Sequence, residues 1–201
     1  MEKARPRLIH SEGIPKSVFT DFKSALETIG LEIEPELRPD GPRSGTDSLL
    51  IPAAVVIFLS KPFIDGFLNR LANDANDYFY PKFKEAVSAV TCKTLEVLRG
   101  TSIAKTPGNV KDPEPQVLAI TWEARDDRRV KCVLLSNLSE ADCAIAVDKL
   151  FSNLDDHYAE PAREDRISKL NANKTSEPLV MAYDSELQTW KVIDPRSNDL
   201  P

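Results

Sequence analysis

The residues best equipped for chemistry in this chain are few and far apart. There are two histidines, His10 and His157. His157 lies in Leu154-Asp-Asp-His-Tyr-Ala-Glu160, where an imidazole beside Asp156 or Glu160 could hold a divalent ion if remote ligands joined it. The simpler expectation is a cation-capable ring among acids, set against the terminal carbonyls of a helix. His10 could serve as a general base only if a nucleophile converged on it, and no neighbouring motif supplies one. Ser60-Lys61 stands at a strand-to-helix junction, where α/β proteins gather their sites; a serine there also simply caps the helix. No GxSxG elbow is present. Gly41-Pro-Arg-Ser-Gly45 lacks the lysine and glycine spacing of a phosphate loop, although Arg43 and Ser44 could touch an anion. Cys92, Cys132 and Cys143 have neither metal-knuckle nor redox-motif spacing. The expectation is therefore no metal and no cofactor, with catalytic residues unassigned. Ser60, Lys61 and His10 form the alternative site.

A second class of candidates suits contact with other proteins. Between residues 139 and 165 the acids Glu140, Asp142, Asp148, Asp155, Asp156, Glu160, Glu164 and Asp165 face only Lys149 and Arg163. Such a run reads as a solvated helix face or as a docking surface that steers a basic partner. Phe63 and Phe67 have helical spacing and read as core. Tyr78-Phe-Tyr80 precedes Pro81, and three consecutive side chains point in different directions, so one exposed aromatic there would mark an interface. Asp155, Asp156, Glu160, Tyr78 and Tyr80 are the candidate partner-binding residues. The partner would be a basic protein or a second copy of the chain.

Bulk properties exclude whole classes. The 201 residues carry a net charge of −6, and no basic stripe offers phosphates a surface, so nucleic acid is not an expected partner. The most apolar run, residues 49–59, is too short for a bilayer span and contains Pro52. The first residues lead into no long apolar segment, which makes cytoplasmic residence with reduced thiols the expectation. Fifteen prolines against seven glycines suggest stiff connections.

The elements that must position these residues follow from periodicity. A short strand at residues 7–10 precedes a helix with Pro15 at its first position, apolar Val18, Phe22, Ala25, Leu26 and Ile29 at helical spacing, and Gly30 as its stop. Residues 31–37 alternate apolar and acidic, and Pro35 places that strand at a sheet edge. Residues 53–59 are apolar on both faces, as a central, parallel strand should be. Ser60-Lys-Pro62 opens a helix that weakens at 73–77 and restarts at Pro81, reaching Gly100. Residues 101–116 hold three prolines and read as a linker or loop. Next come a hairpin (117–124 and 130–135), a helix opened by Ser139 with Asp142 as a variant capping box, a polar stretch over 161–177, and a closing hairpin (179–183 and 190–193). The fold class expected is mixed α/β. A partly parallel sheet in residues 1–100 is followed by antiparallel hairpins in 117–195, with helices packed on the sheet.

The first 75 residues resemble the front of a TIR domain, a flavodoxin-like signalling fold. Leu8-Ile-His-Ser11 is similar to that family's opening strand and turn, and Val55-Val-Ile-Phe-Leu-Ser60 with Phe63 to its central strand followed by a serine and an aromatic. Enzymatic members carry a glutamate essential for NAD cleavage on the next helix; here Asp65-Gly-Phe-Leu-Asn-Arg-Leu71 puts Leu71 in its place. The resemblance thus implies a scaffold without NAD hydrolase activity. Together these readings favour a non-enzymatic interaction domain, of adaptor or immunity type. The alternative is a small hydrolase or nucleotide-sensing domain with its site near Ser60.

Overall fold

The computed structural model describes residues 5–11, 14–37, 53–71, 78–100, 117–159 and 178–194, with the backbone alone at 67–71 and 159. Strand β1 (Arg7–His10) leads to helix α1 (Ser17–Thr28) and the short strand β2 (Pro35–Leu37). Strand β3 (Val55–Leu59) is followed by α2 (Lys61–Leu71), α3 (Phe79–Gly100) and β4 (Val117–Glu123). Strand β5 (Arg129–Leu135), helix α4 (Glu140–Ala159) and strands β6 (Leu179–Asp184) and β7 (Thr189–Val192) complete the order. The fold is mixed α/β: one seven-stranded sheet in the order β2-β1-β3-β4-β5-β6-β7, with helices packed on it.

Sequence patterning explains most of these elements. Helix α1 starts two residues after its expected first position, because Val18 and Phe19 bond back to Pro15 and Lys16 in a tighter leading turn. It ends in a Schellman motif: Leu31 N–H reaches Leu26 O at 2.9 Å and Gly30 N–H reaches Glu27 O at 3.0 Å, with Gly30 at φ +71°. Of residues 31–37, Pro35–Leu37 pair, at the sheet edge that proline tolerates. Strand β3 is parallel to β4 but antiparallel to β1, so its parallel character holds on one side only. Pro81 sits in the first turn of α3, where its missing N–H has no helical partner to lose.

Register puts Leu8, Ile57, Ile120, Cys132 and Met181 on one sheet face under the helices, in a single buried cluster with Phe19, Phe83 and Phe151. On the opposite face Val117, Val133 and Val180 form a smaller cluster. Both halves of the sequence share the sheet, joined where β3 pairs with β4. Helices α3 and α4 lie antiparallel, as the successive contacts Tyr80–Asp155, Lys84–Asp148 and Cys92–Glu140 show. Helix α1 lies along the other side of α3, tied by Lys93 to Asp21 at 2.7 Å.

One topological property departs from the common pattern. Three crossovers join adjacent parallel strands: β1–α1–β2, β3–α2–α3–β4 and β5–α4–β6. Strand β5 runs opposite to β3, yet both lead to the next strand on the same side, and α3 and α4 occupy the same face. The third crossover therefore turns in the opposite sense to the other two, and the three cannot all obey the right-handed rule.

Candidate functional site

At the C-terminal ends of β3 and β4, α2 begins, and the chemistry-bearing residues there are bonded to one another. The Ser60 carbonyl accepts the Ile64 amide, so Ser60 opens the helix. The next amide, Lys61 N–H, donates to Glu123 Oε2 on β4 at 2.9 Å. The Lys61 ammonium donates to Arg125 O at 2.7 Å and to Asp127 Oδ1 at 2.8 Å, fastening α2 onto the β4–β5 turn. Its pKa is raised, first by the hydrogen bond to Asp127. Asp127 takes φ +63°, a left-handed conformation that aspartate tolerates better than most residues. Tyr158 donates its hydroxyl to Glu123 O, and burial pushes that phenol up.

His157 belongs to this corner, in a role the sequence did not suggest. It is 2% exposed, its Nε2 accepts the Arg125 amide at 3.2 Å, and its ring lies edge-on to Trp122 with centroids 5.4 Å apart. An accepting Nε2 puts the ring proton on Nδ1 and makes the histidine neutral. The expected cation among acids is thus replaced by a buried acceptor. Asp156, one residue earlier, is exposed, since adjacent helical side chains diverge by about 100°. No group of three or more metal-ligating side chains occurs among the described residues.

His10 stands at the opposite end of the sheet. It pairs with Val55, the first residue of β3, whereas Ser60 follows the last; five residues of strand separate the two ends, about 16 Å. His10 is 5% exposed, its Nδ1–H donates to Ser11 O at 3.0 Å, and its ring packs on Phe19. The three residues of the alternative site therefore do not converge.

The partner-binding candidates divide as well. Tyr80 donates to Asp155 Oδ2 at 2.5 Å, joining α3 to α4. Burial raises the pKa of both groups. Asp148 pairs with Lys84, and Asp142 is held in the capping turn: its amide donates to Ser139 Oγ at 3.1 Å and its carboxylate accepts the Ser139 hydroxyl at 2.6 Å. Asp142, Asp148 and Asp155 are thus engaged by neighbouring groups, while Glu140, Asp148 and Asp156 remain exposed among the described residues. Glu160, Arg43 and Ser44 lie outside the described residues, as does the side chain of Leu71.

Tyr78 behaves differently from Tyr80. It is 60% exposed and edges a groove of about 380 Å³ between α1 and α3. The groove floor carries Val18, Phe22, Ala25, Ala86 and Val90; the ion pair Lys93–Asp21 crosses its rim, and Lys82–Glu85 lies along the α3 side. Among the described residues, no helix is long and apolar enough to cross a membrane. Comparison with family models, curated proteins and solved structures finds no match to this chain.

Proposed function

We propose that this chain is a non-enzymatic protein–protein interaction domain of the cytoplasm, adaptor-like or immunity-like in role. Its partner is a protein of net positive charge, and Tyr78 with the α1–α3 groove is the contact. The observation that carries the reading is the exposure of Tyr78 beside an apolar-floored groove, since a half-rigid aromatic on a concave surface is a strong anchor for a partner. The net charge of −6 supports a basic partner by drawing it in over long range. The engagement of Lys61 with Asp127, and of Glu123 with the α2 amide, weighs against the alternative hydrolase or nucleotide site, which would need those groups for substrate. The TIR resemblance points the same way, with Leu71 where an NAD-cleaving glutamate would stand.

The test places a photocrosslinking benzoylphenylalanine at position 78 and, as a control, at Leu187, which is 63% exposed on the β6–β7 turn. A discrete adduct at 78, absent at 187 and weakened by roughly 0.5 M salt, is expected. Light scattering on the purified chain tells a second copy from a different protein. Identical adducts at both positions, or ester or nucleotide turnover abolished by Ser60→Ala, would overturn the proposal.

A further inference from the structure

We infer that Cys92 and Cys143 form a peroxide-responsive dithiol, with Cys92 the attacking and Cys143 the resolving thiol, whose oxidation staples α3 to α4. The inference is independent of the interaction reading. Cys92 is half-buried on α3, and its thiol approaches Glu140 O in the first turn of α4 at 3.9 Å. Cys143 stands three residues beyond Glu140, and helical side chains lean back over the preceding turn, which brings the Cys143 thiol to the same spot. Cys92 packs against the buried cluster that contains Cys143, so the two side chains share the seam between α3 and α4.

Their surroundings differ in the way an attacking and a resolving thiol require. The neighbouring Cys143 thiol holds the Cys92 pKa below the ordinary cysteine value, with help from the Ser88 hydroxyl and the Arg99 charge and against burial and Glu140. Cys143 is buried and is pushed up, chiefly by Cys92. The thiolate is the reactive form, so Cys92 is both the more reactive and the more accessible of the pair. Cys132, fully buried on β5 and pushed up to about 12, serves as an inert internal reference.

The chemistry balances with hydrogen peroxide as oxidant. The Cys92 thiolate attacks one peroxide oxygen, the O–O bond breaks, and the departing hydroxide takes a proton to become water, leaving a sulfenic acid. The Cys143 sulfur then attacks the Cys92 sulfur, the S–O bond breaks, and hydroxide leaves with the Cys143 proton as a second water. Two thiols have lost two electrons to the peroxide, and a disulfide remains.

The experiment treats the folded chain with peroxide, then denatures and alkylates it for intact mass and peptide mapping. The expected product is a monomer about 2 Da lighter before alkylation, with Cys132 alone alkylated and the loss reversed by dithiothreitol. Cys132 and Cys143 share a tryptic peptide, so a second cleavage after Glu140 is needed to assign the bond. Closing so long a loop should raise Tm by on the order of 10 °C. Cys143→Ala should instead accumulate a dimedone-reactive sulfenic acid on Cys92. Alkylation of all three cysteines after peroxide, a Cys92 sulfinic acid beside a free Cys143 thiol, or a dimer linked through Cys92 would each overturn the inference.

Discussion

Tyr80 and Asp155 show how a residue's neighbours redirect its chemistry. Burial, the largest influence on Asp155, raises its pKa above the ordinary 3.8 despite the Tyr80 hydrogen bond. An acid whose folded pKa is raised binds its proton more tightly when folded, so its contribution favours folding as pH falls from above the folded value toward 3.8. Most carboxylates act in the reverse sense. Asp155→Asn keeps an acceptor for Tyr80 and removes this titration. Urea unfolding at about pH 7 and about pH 4 should therefore show wild type gaining stability relative to the variant at the lower pH. A pH-independent difference would mean that Asp155 ionises normally. Glu123 offers a second test, because its carboxylate accepts the first free amide of α2. Glu123→Ala should cost about 1–2 kcal/mol, and Glu123→Gln, which retains an acceptor oxygen, less than half of that, read by the same unfolding.

At the scale of elements, local sequence signals carried far. Gly30 announces the end of α1 and adopts the left-handed φ that the motif demands. A Cβ there would meet nothing within 4 Å, so Gly30→Ala should cost about 1 kcal/mol of backbone strain alone, seen as a drop in Tm with no change in the folded far-ultraviolet spectrum. Pro35 correctly marks an edge strand, and Ser139 with Asp142 correctly opens α4. Site chemistry was much less legible, for a physical reason. Lys61 and Glu123, Tyr80 and Asp155, and Arg125 and His157 are 62, 75 and 32 residues apart, and such pairings depend on how helices seat on the sheet rather than on spacing along the chain. Cys92 and Cys143 likewise lack a motif spacing, because what brings Cys92 to the first turn of α4 is the packing of two helices.

For the whole molecule, the pairing of β3 with β4 binds residues on either side of 101–116 into one hydrogen-bonded sheet. Both tryptophans, Trp122 and Trp190, lie in the later half and are fully buried, whereas α1 and α2 lie in the earlier half. Tryptophan emission and helical circular dichroism should therefore report the same urea midpoint, as two-state unfolding requires. Separate midpoints would mean that the halves unfold independently. The crossover of opposite sense shapes the helical layer as well, because it holds α4 beside α3 and antiparallel to it, as α1 is on the other flank. Each helix carries a dipole worth roughly half a unit charge at either pole. Alternating neighbours set positive poles against negative ones, and the amino pole of α2 already faces the Glu123 carboxylate. Among the described helices, neither end of the layer therefore concentrates the field with which parallel α/β proteins hold phosphates.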